Sequence, residues 1–317
     1  MTGYIARRLL LAIPTLILSS LVVFLLIHMV PGDVIIAKLS ESGTVKPEAI
    51  EAARAQLGLD KPIFIQYLDW LWGIVRLDAG TALWSGLPAF DQLWEALPVT
   101  IELAVIATII SVVIAIPLGA ISAVKQNTPI DHVVRVISVA GIAAPDFWIA
   151  VMLIVFLSRV FGYLPPIFYK PLWEDPLTNL SQIMIPALIL GYRLAASTMR
   201  MTRSAMLEVL RQDYVRTAYA KGLRVKTVII RHALKNAMIP TITIIGTQLA
   251  FLFGGAFIME SLFALPGVGQ LTLVAIQRRD YVQIQLNVFF IAVVLMLMNL
   301  AVDVAYGWFD PRLRRGY

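Results

Sequence analysis

The stretch VTIELAVIATIISVVIAIPLGAISAV, residues 99–124, contains a single charged side chain, that of Glu102. A helix of about 20 mainly apolar residues is long enough to cross the roughly 30 Å hydrocarbon core of a bilayer. Unpaired backbone groups cannot face lipid, so such a run is expected to form a helix rather than an open strand. This stretch therefore predicts a membrane-spanning helix.

Five more apolar runs follow the same pattern along the chain. Together the six runs cover roughly residues 9–30, 99–124, 136–158, 183–199, 238–261 and 284–309. The whole sequence is 59% hydrophobic and 15% charged, whereas soluble domains carry about 45–50% apolar and about 25% charged residues. The sequence predicts an all-α membrane protein with six transmembrane helices. It also predicts two parts, a first helix with a long external segment over 1–98 and a five-helix core over 99–317.

The Lys and Arg residues are unevenly divided among the segments that join the runs. If the N-terminus is cytoplasmic and six helices alternate, the inner segments hold 16 Lys and Arg in 66 residues. The outer segments then hold 9 in 114 residues. Basic residues concentrate on the cytoplasmic side of membrane proteins, so we predict that both termini are cytoplasmic. Topology then explains the net charge of +6, and no nucleic-acid partner is predicted.

The densest basic segment, 200–236, holds nine Lys and Arg residues. Within it, SAMLEVLRQDYVRTAYAK at 204–221 has no Pro or Gly and is predicted to be one continuous helix. Gly222 then stops the helix as a left-handed cap. The small side chains of Ala218 and Ala220 would let another protein approach closely. The segment is interpreted either as an amphipathic helix held by anionic headgroups or as a docking element for a cytoplasmic partner.

The sequence lacks the motifs of common catalytic and nucleotide-binding sites. It contains no G-x-x-x-x-G-K-[ST], no H-E-x-x-H and no G-x-S-x-G, so no phosphate loop, zinc-protease motif or serine-hydrolase motif is present. Cysteine is absent, and His28, His132 and His232 are too scattered to indicate a metal site. We predict no catalytic residue, metal or cofactor in this chain. Its energy must come from partners or from an ion gradient.

Five ionisable residues lie in or at the ends of the apolar runs: Glu102, Asp146, Arg193, Glu260 and Asp303. Such groups are costly in a bilayer, so they usually face protein or a wet cavity. Glu102 and Glu260 fall near the outer ends, where solvation is expected to lower their cost. Asp146 follows Pro145 in the middle of a run and is the strongest candidate for a translocation pathway, with Glu102 and Glu260 as further candidates. The alternative for Asp146 is a polar contact between helices, including a pair with Arg193.

Several motifs together resemble those of a known family. They are HMVPGD (28–33), LGLDKP (57–62), RMTRSAMLEVLRQDYVRTAYAKG (200–222), RHALKNAMIP (231–240), FALPGVGQL (263–271), QRRDY (277–281) and DPRLRR (310–315). In this combination the chain resembles importer-type ABC permeases of the dipeptide/oligopeptide class, over essentially its whole length. It is most similar to the first of the two permease subunits of a peptide system.

The resemblance implies a cytoplasmic coupling helix, within a loop at about 204–236, that inserts into an ATPase subunit. The family's Glu-Ala-Ala-x-x-x-Gly core falls on Arg216-Thr217-Ala218 and Gly222, where only Ala218 and Gly222 match it. The boundaries of the coupling helix are therefore less well defined than its location. The residues implied for ATPase coupling are Asp213, Tyr214, Arg216, Thr217, Ala218, Lys221 and Gly222.

The resemblance also implies function and partners. The chain would be a permease subunit of an ATP-driven importer of short peptides in the bacterial or archaeal cytoplasmic membrane. Its partners would be a second permease, two ATP-binding subunits that carry ATP and Mg, an external binding protein and the lipid bilayer.

Other functions remain open on the sequence. The same kind of transporter could carry glutathione, a nickel chelate or a sugar. A proton-coupled secondary transporter could use Asp146 and Glu102 as a relay. A membrane receptor or channel is the third class.

Overall fold

The computed structural model describes residues 2–29, 36, 38, 47–56, 58–166 and 168–309. Most of the HMVPGD motif and all of DPRLRR lie outside these residues. The helices of the first part of the chain are α1 Thr2–His28, α2 Pro47–Gln56, α3 Ile63–Val75, α4 Ala89–Val124, α5 Pro129–Ala143 and α6 Asp146–Phe161.

The second part of the chain is also helical. Its helices are α7 Pro176–Leu210, α8 Asp213–Ala220, α9 from Val225–Thr227 through a π-helical turn at Val228–Leu234 into Lys235–Gly255, α10 Phe257–Leu262, α11 Val268–Gln277 and α12 Tyr281–Phe309. Five helices in the described part of the chain are long and apolar enough to cross a membrane, and the pair α5–α6 makes a sixth candidate. The all-α membrane fold is therefore confirmed.

The sixth candidate span is broken within the apolar run 136–158. Helices α5 and α6 meet at an angle of 98°. Ala144 adopts an extended conformation, with φ −87° and ψ 129°, because the ring of Pro145 disfavours a helical residue before it. The break places Asp146 in the first turn of α6.

Helices α4 and α7 pack closely and form the centre of the core. Two glycines permit the approach: a Cβ on Gly119 would lie 2.8 Å from the Met199 carbonyl oxygen, and one on Gly191 would lie 2.9 Å from that of Ala107. Around them, buried side chains from α4, α6, α7, α9 and α10 join one apolar cluster. Burying such side chains is the main stabilising contribution in the water-accessible parts, whereas within lipid close packing is more important.

The expected continuous helix over 204–221 is wrong. Helix α7 ends at Leu210, and Gln212 is extended, with φ −74° and ψ 146°, before α8 begins. The change of direction buries Val215 and Ala218 against Val228. A straight helix would leave Val215 without these contacts, so apolar packing outweighs the local preference for an unbroken helix.

Candidate functional site

The elbow formed by α8 and the turn at 221–224 is closed by a left-handed glycine. Gly222 has φ +74°, as its predicted role as a cap requires. The Gly222 N–H donates to the Tyr219 carbonyl at 2.9 Å, and the Leu223 N–H donates to the Ala218 carbonyl at 3.4 Å. This pair of bonds is the Schellman motif, which satisfies carbonyls left free at a helix end.

One side of α8 faces the rest of the chain. Val215 is fully buried and Ala218 is 6% exposed, and both pack with Val228 at the start of the π-helical turn. The methyl group of Ala218 therefore packs inward, where a larger side chain would separate α8 from α9. Its small size serves a close approach within this chain.

The other side of α8 is open. The side chains of Asp213 and Arg216 are 97% and 79% exposed, and their 3.6 Å pair contributes little because water screens it. Tyr214, Tyr219 and Leu223 are each about 40% exposed or more. Charged and aromatic side chains thus form an exposed, mixed surface on the elbow. Thr217 and Lys221 are also exposed.

Asn236 belongs to this elbow but was not singled out from the sequence. Its Nδ2 donates to the Tyr214 hydroxyl at 2.7 Å and to the His232 carbonyl at 3.0 Å. The contact ties the ring of Tyr214 to α9. Asn236 lies in the RHALKNAMIP motif, but only the folded structure brings it across 22 residues to Tyr214.

Asp146 forms an ion pair with Arg193, one of the two alternatives that the sequence left open. Arg193 NH1 donates to Asp146 Oδ2 at 2.5 Å, which links the start of α6 to the middle of α7. The Asp146 side chain is 13% exposed, whereas that of Arg193 is 60% exposed. The pair lies at the break between α5 and α6.

Glu102 lies in a second polar group, in contact with the segment that joins α6 and α7. Its Oε2 accepts hydrogen bonds from the Tyr169 hydroxyl at 3.0 Å and from Asn179 Nδ2 at 3.2 Å. Burial raises the pKa of the Tyr169 phenol, and the neighbouring Glu102 carboxylate raises this pKa further. Tyr169 therefore stays protonated and donates to Glu102, which fastens the connecting segment to α4.

Glu260 forms a third polar group, and the expected solvation of this residue is wrong. It is fully buried. Its Oε1 accepts from the Thr100 hydroxyl at 2.7 Å, and its Oε2 accepts from the Gln270 N–H at 2.9 Å near the start of α11. A Cβ on Gly267 would lie 2.4 Å from Glu260 Cδ. Hydrogen bonds at a helix N-terminus, where negative charge is favourable, replace the missing water.

The three pathway candidates lie in separate hydrogen-bonded groups. Asp146 contacts Arg193 in the middle of α7. Glu102 contacts Tyr169 before α7 and Asn179 in the first turn of α7, and Glu260 contacts α4 and α11. Over the residues that the structure describes, no group of three or more His, Asp and Glu could hold a metal ion.

Asp131 and Arg203 form the best satisfied ion pair among the described residues, and the sequence did not single them out. Arg203 Nε and NH2 donate to the two Asp131 oxygens at 2.7 and 2.9 Å. Ser122 Oγ and the Asn127 N–H donate to the same carboxylate at 2.6 and 3.0 Å. Asp131 is fully buried, although it lies in a short polar segment that looks solvated in sequence. The pair joins the ends of α4 and α5 to α7.

Two family models match the chain. One is described as binding-protein-dependent transport system inner membrane component and matches residues 115–315. The other describes the N-terminal part of the membrane component of such systems and matches residues 1–104.

Curated relatives match over almost the whole length. The dipeptide transport system permease protein DppB of Escherichia coli K12 is 38% identical, with 99% of both chains covered. The protein of the same name from Alkalihalophilus pseudofirmus is 37% identical, over 99% of this chain and all of the relative. A putative peptide transport system permease protein of Brucella abortus is 35% identical, with 99% of both chains covered.

One solved structure supports the fold. The crystal structure of an amino acid ABC transporter with histidines matches with a TM-score of 0.51. The match covers 70% of this chain and 94% of the other, at 14% sequence identity. At that identity the likeness concerns the arrangement of helices alone.

Proposed function

This chain belongs to the family of binding-protein-dependent transport system inner membrane components, and we propose that it forms part of the path by which short peptides enter the cell. It is a permease subunit of an ABC importer, a transport subunit rather than an enzyme. The observation that carries the substrate class is the 38% identity to a dipeptide permease along 99% of both chains.

The elbow is the proposed docking element for an ATP-binding subunit. Its exposed residues, with Asp213 and Arg216 at the centre, project from a helix that the rest of the chain holds firmly. Because Val215 packs against Val228, a movement of α8 would also move α9. Because the chain continues directly from Leu210 into α8, it would also move α7. Force applied at the elbow would therefore reach two spans. ATP and Mg would be bound by the partner subunits, because this sequence has no phosphate loop.

The remaining partners follow from the size of the chain. The five or six candidate spans in the described part of the chain would form one wall of a path wide enough for a peptide, so a second permease would supply the other wall and the second docking elbow. An external binding protein would deliver the peptide to the side opposite the elbow. We place the assembly in the cytoplasmic membrane, with both termini inside.

Transport by a reconstituted complex tests this proposal. Proteoliposomes that contain this chain, the second permease and two ATP-binding subunits are expected to take up radiolabelled dialanine when ATP and the loaded binding protein are supplied. Omitting either the ATP-binding subunits or the binding protein should reduce uptake to the level of empty vesicles. Uptake should persist when the proton gradient is collapsed with an uncoupler.

Two results would contradict the proposal. Uptake driven by a pH gradient in vesicles that contain this chain alone would identify a secondary transporter. ATP-dependent uptake of a sugar or a nickel chelate, with none of dialanine or longer peptides, would retain the importer and reject the peptide.

A further inference from the structure

Arg193 is a charged residue at the centre of an apolar span. It lies 17 residues after the start of α7 and 17 before its end at Leu210, inside the apolar run 183–199. Its side chain is nevertheless 60% exposed. Inserting an arginine into the middle of a bilayer costs at least about 2.5–3.5 kcal/mol on insertion scales. An exposed guanidinium there is therefore expected to face water or another protein rather than lipid.

The position of Arg193 around α7 separates it from the apolar surface of that helix. Met184 and Leu188 are exposed apolar residues on the outer half of α7. Arg193 follows Met184 by nine residues, which at 3.6 residues per turn is about half a revolution. Ser197 and Arg200 lie on the same side as Arg193 and are partly or fully exposed. The inner half of α7 therefore presents a polar face, opposite the apolar surface of its outer half.

Asp146 engages only part of the guanidinium. The hydrogen bond runs from NH1 to Asp146 Oδ2, and within the described part of the chain Arg193 has no second acceptor. The other oxygen, Oδ1, is buried and has no hydrogen-bond partner among the described residues. The pair is therefore single rather than bidentate. The Nε–NH2 edge of Arg193 stays open, and this edge is the one that binds a carboxylate through two parallel hydrogen bonds.

The broken span adds a second feature that suits an anion. Helix α6 has 16 residues and begins at Asp146, so its N-terminus lies inside the membrane region beside Arg193. In transporters, the N-termini of discontinuous helices point at anionic groups of the substrate near the membrane midplane. Here Asp146 holds Arg193 at that N-terminus without occupying its free edge.

We propose that the Nε–NH2 edge of Arg193 binds the C-terminal carboxylate of the peptide during translocation, with Asp146 positioning the guanidinium. This inference rests on the proposed peptide function. The carboxylate is a chemical group that peptides share whatever their side chains, so one fixed arginine serves many sequences. Because Asp146 remains paired through NH1, the guanidinium can bind and release the peptide without losing its neutralising partner.

Equilibrium binding to the assembled complex without binding protein tests the proposal. The complex of this chain, the second permease and the ATP-binding subunits is placed in nanodiscs and dialysed against labelled dialanine or dialanine amide. The two probes differ only at the C-terminal carboxylate. The wild-type complex should retain dialanine about tenfold more strongly than the amide, the loss expected when hydrogen bonds to a charged group are removed.

Three variants separate recognition of the carboxylate from simple charge. Arg193→Gln should abolish the preference for dialanine over its amide. Arg193→Lys should retain only part of the preference, because an ammonium cannot form the planar two-bond contact. Arg200→Gln, which removes a positive charge from the same side of α7, should keep the wild-type ratio.

The outcomes are distinct. If the wild-type complex retains dialanine and its amide equally, or retains neither, the carboxylate site is overturned. An unchanged preference for dialanine in Arg193→Gln would overturn it as well. Loss of the second permease from purified Arg193→Gln complexes would assign Arg193 to a subunit contact instead. Absence of uptake of dialanine and of longer peptides by wild-type proteoliposomes, which is a separate measurement, would reject the peptide function itself.

Discussion

Asp131 and Glu260 are both fully buried carboxylates, but they are stabilised in different ways. Asp131 receives two hydrogen bonds from Arg203 and two from uncharged donors. Glu260 receives hydrogen bonds from the Thr100 hydroxyl and from the backbone N–H of Gln270, near the start of α11. A buried charge that loses its partner is far more costly than an exposed one. These residues are therefore expected to be sensitive to small chemical changes.

Replacing Asp131 with Asn tests the buried pair with little change in shape. The substitution leaves Arg203 without a counter-charge. We expect a loss of about 1–3 kcal/mol in the free energy of unfolding, less than the roughly 3–5 kcal/mol of a fully buried broken pair because Arg203 is 19% exposed. The thermal unfolding midpoint of the purified complex should fall clearly. Asp69→Asn makes the same change in an exposed carboxylate that pairs with Lys61 outside the elbow and should shift the midpoint little. Equal midpoints for the two variants would show that the Asp131 pair does not stabilise the fold.

At the scale of the element, the elbow combines a firm inner side with a free outer side. The Schellman bonds at Gly222 end α8, and the contact of Val215 with Val228 holds it against α9. A Cβ on Gly222 would meet nothing within 4 Å. Space therefore places no restriction on this position, and its positive φ alone favours glycine.

Because the backbone conformation and not the available space restricts position 222, two substitutions there are expected to give opposite results. Gly222→Val forces a β-branched residue into the left-handed region and should cost roughly 1–2 kcal/mol or more in the elbow. Gly222→Asn should be tolerated, because Asn adopts this conformation more readily. The measurement is ATP hydrolysis stimulated by loaded binding protein, at equal amounts of permease in the membrane. Full stimulation in Gly222→Val would mean that the shape of the elbow does not matter for coupling.

At the scale of the whole molecule, the spans determine which segments share a side of the membrane. The elbow, the α4–α5 connection and both termini fall on one predicted side. The segments that precede α7 and α12 fall on the other. The division into a 1–98 part and a 99–317 core remains a prediction, as does the orientation. The C-terminal residues after Phe309 lie outside the described residues.

Reporter fusions test this topology directly. We expect cytoplasmic signals from fusions after Lys125, Leu210 and Arg315, and external signals from fusions after Glu51, Glu174 and Gln277. The reason is the excess of Lys and Arg in the segments assigned to the inside. An external signal after Leu210 would place the elbow beyond the reach of an ATPase and reject its docking role. As a control, each fusion is made with two reporters, one active only in the cytoplasm and one active only outside, at equal expression.

The sequence alone determined the features that depend on local properties. Hydropathy located the spans, because each helix must satisfy its own backbone in lipid. The glycine at 222 marked the end of α8, since its conformation depends on the residue itself. Motifs identified the family, and charge counts predicted the orientation.

Only the tertiary structure decided which distant side chains meet. It paired Asp131 with Arg203 across 72 residues, buried Glu260 near the start of α11 and turned Ala218 inward. It also bent α5 against α6 by 98°, although Pro145 showed where a break could occur. These features depend on how helices pack, and helix packing depends on side chains that lie far apart in the sequence.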